Sequence, residues 1–122
     1  MVWWPGENMD FGAKRGPLCE AKQCVRLAQE NAMRGDHSSA IKYLHKAVSK
    51  YPNYAEAYAL LGNCQDCLDK SEDAIISYNT ALHLDPDNAE TWFNKGMILR
   101  KNGQAEAAAQ CIKKSIDLFI GR

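Results

Sequence analysis

An internal repeat of 34 residues constrains the possible folds of this chain more than any other feature. The three segments that align without a gap are 21–54, 55–88 and 89–122. The twentieth place of every segment is alanine, at Ala40, Ala74 and Ala108. A repeated unit of this length is one supersecondary element, which buries its apolar side only by stacking on its neighbours. The sequence therefore predicts a repeat domain over residues 21–122, preceded by an N-terminal tail over residues 1–20.

Each segment is predicted to form two helices. Apolar and small residues recur at steps of three and four on both sides of a polar break, which is the pattern of an amphipathic helix. Gly35 and Gly103 suit the left-handed turn that ends a helix, and Ser71 before two acidic residues resembles an N-cap. Pro52 and Pro86 follow the second helices of the first two segments and stop their growth. The predicted helices are 21–34, 38–50, 55–68, 71–84, 89–102 and 105–119.

The repeated residues resemble the tetratricopeptide repeat family. Its pattern has a large residue at place 4, Leu and Gly at places 7 and 8, Ala at 20, an aromatic residue at 24, Ala at 27 and Pro at 32. The second segment matches best, with Tyr58, Leu61, Gly62, Ala74, Tyr78, Ala81 and Pro86. The other segments depart from the pattern at Cys24, Lys95 and Ile120. All three segments depart from it at place 11, where the family has an aromatic residue and this chain has Asn31, Gln65 and Leu99. The resemblance implies an all-α solenoid, a right-handed superhelix of three helix-turn-helix hairpins.

The resemblance also implies a function, because proteins of this family are usually scaffolds that bind a peptide or a partner helix. The concave groove is made by the first helix of each repeat. The residues expected to line it are Lys22, Val25, Arg26, Gln29, Met33, Glu56, Ala59, Leu60, Asn63, Asp66, Cys67, Glu90, Phe93, Asn94, Met97, Arg100 and Lys101. Among these we expect Val25, Leu60, Phe93 and Met97 to meet apolar side chains of the ligand.

A second binding mode of the family is the two-carboxylate clamp, which holds a peptide C-terminus with Lys, Arg and Asn. Asn63 and Asn94 occupy two of the Asn places, but Ala59 stands where the clamp requires Lys. No fourth repeat supplies the remaining cations. The sequence therefore favours apolar peptide recognition over a clamp.

No group of residues predicts catalysis, a metal site or a cofactor, so we expect that the protein is not an enzyme. Cys64 and Cys67 form a C-x-x-C pair, but they lie late in a helix rather than in a turn where a zinc or redox pair would sit. We expect a buried Cys64 and a groove-side Cys67. His37, His45 and His83 have no catalytic or metal-ligand spacing and are expected to be exposed or to lie next to helix caps.

Charge and hydropathy narrow the partners to proteins or peptides. Fifteen Lys and Arg residues balance fifteen Asp and Glu residues, which removes the electrostatic basis for binding nucleic acid or an anionic membrane. No apolar run reaches the length of a membrane span or a signal peptide. We expect a cytoplasmic location, where the five cysteines would be reduced thiols.

The alternative function is structural, with the chain acting as a self-assembling subunit. We expect Ile112, Ile116, Phe119 and Ile120 to form one apolar stripe on the last predicted helix, without the polar capping helix that typically follows in the family. The tail supplies further apolar surface at Trp3 and Trp4. The stripe would be buried in a homo-oligomer, either against the stripe of a second copy or by the Trp tail of another chain.

Overall fold

The computed structural model describes residues 16–121, and this part of the chain folds into six α-helices without a strand. The helices are α1 (Pro17–Met33), α2 (His37–Lys50), α3 (Ala55–Cys67), α4 (Ser71–Leu84), α5 (Ala89–Lys101) and α6 (Ala105–Phe119). They pair as three hairpins, α1–α2, α3–α4 and α5–α6, and each hairpin stacks on the next. The prediction of an all-α solenoid of three hairpins is confirmed.

The first helix begins one turn earlier than predicted. Pro17 is its first residue and Gly16 its N-cap. Proline suits this place because its fixed φ is already helical and its missing N–H would have no partner in the first turn. The prediction was wrong here because it began the helix where the repeat begins, at residue 21. Trp3 and Trp4 of the expected tail lie outside the described residues.

The turn inside every hairpin has the same geometry. One residue adopts a left-handed conformation, with φ of 84° at Gly35, 60° at Asp69 and 84° at Gly103. The amide of the following residue then donates back over five residues to the end of the preceding helix, across 2.8–2.9 Å. These hydrogen bonds satisfy carbonyls that a helix end would leave without a partner. Asp69 shows that the repeat maintains this turn even where no glycine is present.

The shared turn also determines where each second helix begins. Ser71 was predicted as the N-cap of α4, but the N-cap is Lys70 and Ser71 is the first helical residue. Lys70 follows the left-handed residue, as Asp36 does in the first hairpin. The Asp36 carboxylate accepts a hydrogen bond from the Ser39 amide at 3.1 Å. The repeat phase, rather than the capping preference of serine, therefore sets this helix start.

Small residues let the two helices of a hairpin approach closely. Ala40, Ala74 and Ala108 are at most 1% exposed. A β-carbon placed on Gly62 would lie 2.6 Å from Cε1 of Tyr78, and one placed on Gly96 would lie 2.8 Å from Cγ1 of Ile112. Real side chains do not approach this closely. Both glycines therefore lie where the two helices of a hairpin are in close contact.

Replacing Ser115 by alanine should stabilise the protein. Ser115 is 1% exposed and its hydroxyl has no hydrogen-bond partner among residues 16–121, whereas the two equivalent positions carry buried Ala47 and Ala81. A buried hydroxyl without a partner loses its hydration on folding and gains nothing in return. We expect Ser115→Ala to raise the free energy of unfolding by about 1 kcal/mol.

Chemical denaturation with an unchanged m-value would measure this gain. Ser49→Ala on the exposed surface of α2 is the matched control, because it changes helix propensity equally without removing a buried hydroxyl. A gain no larger than that of the control would show that the Ser115 hydroxyl carries no penalty.

Candidate peptide-binding groove

The first helices of the hairpins, α1, α3 and α5, carry the residues predicted to line the groove. Most of these side chains reach solvent, and Met33 is 87% exposed. Phe93 is 41% exposed. Val25 differs from the expectation because it is 3% exposed and belongs to the core of the first two hairpins. Burying an apolar side chain that lies at the edge of the groove face stabilises the folded protein.

Polar side chains connect α3 to α5 across this surface. Oδ1 of Asn63 accepts hydrogen bonds from the Tyr78 hydroxyl and, at 3.2 Å, from Nδ2 of Asn94. Nζ of Lys101 lies 2.9 Å from Oδ1 of Asp66. Four of the predicted groove residues therefore form two bridges between the second and third repeats. The bridges hold α3 and α5 in direct contact.

The corresponding places between α1 and α3 cannot form these bridges. The Asn63–Asn94 pair is replaced, one repeat earlier, by Gln29 and Leu60. The Asp66–Lys101 pair is replaced by Ala32 and Cys67. Alanine, leucine and cysteine offer no strong hydrogen bond to close the gap.

A pocket of about 360 Å³ opens where the bridges are missing. We call it the apolar pocket; its lining residues are Ala28, Gln29, Ala32, Met33, Leu44, Leu60 and Cys64. Sequence reasoning identified Gln29, Met33 and Leu60 but missed the other four. A comparison of equivalent places across the repeats would have indicated the apolar pocket. The polar pairs between the second and third repeats have no counterparts between the first and second repeats.

A second pocket, of about 430 Å³, lies at the other end of the groove. We call it the Arg100 pocket; its lining residues are Asp66, Met97, Ile98, Arg100 and Lys101. Asp66 raises the pKa of Lys101, first by hydrogen bonding to its ammonium group and then by its charge. The Lys101 charge is thus already paired with a carboxylate. Arg100 forms no ion pair with any residue between 16 and 121.

The cysteine pair occupies two different environments, as predicted. Cys64 is 4% exposed, and Cys67 is exposed at the end of α3. Burial, and secondly the neighbouring Cys67, raise the pKa of Cys64 to about 11. Its thiol therefore stays protonated at neutral pH and is a poor nucleophile. Within the described residues, no three His, Cys, Asp or Glu side chains gather closely enough to hold a metal ion.

The histidines lie apart from the groove-lining sets. His37 is the half-buried first residue of α2, and His45 and His83 are exposed. This agrees with their predicted positions.

None of the helices in residues 16–121 combines the length and apolar character needed to cross a bilayer.

Comparison with known proteins places these features in a family. Three family models described as tetratricopeptide repeat match residues 24–64, 55–88 and 77–110. The human mitochondrial import receptor subunit TOM70 is 29% identical over 106 residues, which span 83% of this chain and 17% of the relative. The Caenorhabditis elegans cell division cycle protein 27 homolog is 28% identical over 100 residues, which span 82% of this chain and 12% of the relative. The chain thus spans less than a fifth of these relatives.

Solved structures share the fold at low sequence identity. A crystal structure of MamA superposes with a TM-score of 0.79 at 24% identity, covering 81% of this chain and 58% of that one. The first TPR of Spaghetti (RPAP3) bound to the HSP90 peptide SRMEEVD superposes with a TM-score of 0.83 at 15% identity, covering 86% and 83%. Both likenesses concern the fold. With the family matches together running from residue 24 to residue 110, the chain belongs to the tetratricopeptide repeat family.

Proposed function

We propose that this chain is a protein-interaction module that binds a peptide or a partner helix in its concave groove, without catalysing a reaction. The observation that carries the proposal is the apolar pocket, which opens onto a surface lined by exposed side chains from successive hairpins. Its volume of about 360 Å³ is sufficient for a ligand side chain. Apolar pockets with a polar margin are typical of peptide-recognition grooves.

The comparisons support the same class of function. The Spaghetti repeats that share this fold are bound to a peptide. The groove here nevertheless differs from a two-carboxylate clamp. Asn63 and Asn94 are hydrogen-bonded to one another. Lys101 is paired with Asp66. These side chains therefore stabilise the contact between α3 and α5 rather than binding the carboxylate of a ligand.

Selection from a random peptide library would test the proposal. Peptides of 12 residues displayed on phage should be enriched by the protein, and the synthesised peptides should bind with a measurable Kd in fluorescence polarisation. We expect Met33→Glu or Phe93→Glu to weaken binding at least tenfold, because each places a charge where an apolar contact forms. Both side chains are exposed, so neither change disturbs the core.

Ile76→Glu is the matched control for these variants. Ile76 is 64% exposed, lies on α4 outside the groove, and receives the same change in charge. Its affinity for the enriched peptides should equal that of the parent. Failure to enrich any peptide, or equal losses in the control and the groove variants, would refute groove binding.

A second candidate function is self-association through the last helix. Ile116, Phe119 and Ile120 are 51%, 70% and 57% exposed and form an apolar stripe on and just after α6. Ile112, predicted in the same stripe, is half-buried and packs over Gly96 instead. Exposed apolar stripes of this kind are common at surfaces between copies of a chain.

Under this second function, the parent protein should form oligomers at tens of micromolar in analytical ultracentrifugation. The double variant Ile116→Glu/Phe119→Glu should sediment as a monomer, because it would bury charges at the contact. Ile76→Glu should associate as the parent does. A monomeric parent, or a double variant that associates equally well, would contradict this function.

A further inference from the structure

The charged side chains of the groove are unevenly distributed along the helices. Glu56 and Glu90 lie in the first turns of α3 and α5, whereas Arg100 and Lys101 lie in the last turn of α5. Glu90 and Arg100 are ten positions apart in one helix, which corresponds to about 15 Å along its axis. Asp66 lies at the Arg100 end of the groove and is paired with Lys101, so Arg100 carries the positive charge that no described carboxylate balances there.

Arg100 is the cation available to a ligand at that end. The neighbouring Lys101 is paired with Asp66, so its positive charge is already balanced. Arg100 is exposed and lines the Arg100 pocket together with Met97. A guanidinium group presents several donors in a plane and can bind a carboxylate through two hydrogen bonds.

The other groove cations lie at the opposite end. Lys22 and Arg26 line a separate depression formed by α1 alone, with Cys19 and Gln23. They do not line the apolar pocket. Arg26 therefore serves as an internal comparison for Arg100.

The two pockets are separated by a distance that an extended peptide can span. The apolar pocket is bounded by α1, α2 and α3, and the Arg100 pocket is bounded by α3 and α5. Packed helices lie about 8–10 Å apart, and the two pockets are one helix apart, so their centres are separated by roughly 10 Å. A fully extended chain covers this distance in about three residues at ~3.3 Å each, and a less extended chain needs four.

We infer that the groove selects a linear peptide with an apolar residue placed three or four residues from Asp or Glu. The apolar side chain occupies the apolar pocket and the carboxylate binds Arg100. This inference rests on the proposed peptide-binding function and specifies the ligand of the same groove. It requires an internal acidic side chain, so a free peptide C-terminus is unnecessary.

Peptide selection with charge-reversed protein tests the inference. A phage library of random 12-residue peptides is selected in parallel on the parent, Arg100→Glu, Arg26→Glu and Ala32→Leu. We expect the parent to enrich peptides with an acidic residue three or four positions from an apolar one. Arg100→Glu should enrich Lys or Arg at that position, and it should bind the synthesised parent peptide about tenfold more weakly.

The two remaining variants separate the contributions of charge and shape. Arg26→Glu should retain the acidic preference of the parent. Ala32→Leu should fill the apolar pocket and remove the apolar preference, while circular dichroism and thermal melting match those of the parent. The inference is overturned if the charge preference follows Arg26, or if Ala32→Leu folds normally and selects the parent peptides.

The outcomes also separate the inference from the function on which it rests. Enriched peptides that lose affinity with Met33→Glu, but carry no acidic residue at the expected spacing, would overturn the inference and leave groove binding in place. Absence of any enriched peptide would overturn both.

Discussion

Gly62→Leu should destabilise the protein by several kcal/mol. The β-carbon alone would lie 2.6 Å and 2.7 Å from two ring carbons of Tyr78, and Tyr78 is itself buried, at 1% exposed. Overpacking in a well-packed core costs about 1–3 kcal/mol, and the further carbons of leucine would add to this. The expected result is a large fall in the urea midpoint and in Tm.

The smaller substitution Gly62→Ala tests the same contact through the direction of its effect on the free energy of unfolding. In an exposed helix, replacing glycine with alanine stabilises by about 1 kcal/mol. At Gly62 we expect a loss, because the contact with Tyr78 outweighs the helix preference. Gln23→Leu on the exposed surface of α1 is the control for introducing leucine, and it should change stability by less than about 0.5 kcal/mol.

A double-mutant cycle would assign the loss to the ring of Tyr78. Tyr78→Leu costs stability by itself, since it removes buried ring surface and the hydroxyl that donates to Asn63. In that background, however, Gly62→Ala should cost less than it does in the parent. Equal costs in both backgrounds, or a Gly62→Leu variant as stable as the parent, would contradict the close approach.

The 34-residue repeat predicted most of the fold because it determines local and tertiary structure together. A polar break at the same place in each segment indicated the hairpin turns, and alanine at the twentieth place indicated where helices meet. Asp69 was harder to recognise, since Asp adopts the left-handed conformation only rarely. Asp69 lies one repeat from both Gly35 and Gly103, so its position indicates the left-handed turn although its residue type does not.

The side-chain contacts of the groove were less predictable, because they form between residues on different helices. The repeat phase identified which places face the groove, but it could not indicate that Asn63 accepts from both Tyr78 and Asn94. It also could not indicate that Val25 turns into the core. These arrangements depend on distances between helices, which a single sequence does not specify.

Ala74→Asp should prevent the folding of most of the domain. Ala74 is 0% exposed and packs with Tyr78 and Ile98, so the new carboxylate would lie between the second and third repeats without a partner. Burying a polar group without a hydrogen bond costs roughly 2–7 kcal/mol, and an ionised group costs more. A domain of this size has only about 5–15 kcal/mol of stability.

The repeat arrangement makes the consequence of Ala74→Asp extend beyond its own hairpin. Each hairpin is stabilised by its neighbours, and the second hairpin contacts both of the others. We therefore expect loss of most helical circular dichroism at 25 °C, with protease cleavage throughout residues 16–121. Asn79→Asp, at an exposed position on the same helix, should melt as the parent does. Ala108→Asp tests the equivalent place in the third hairpin, which contacts one neighbouring hairpin within residues 16–121, so the first two hairpins should retain more helix than in Ala74→Asp. A folded Ala74→Asp protein with the parent's Tm would refute the burial of this position.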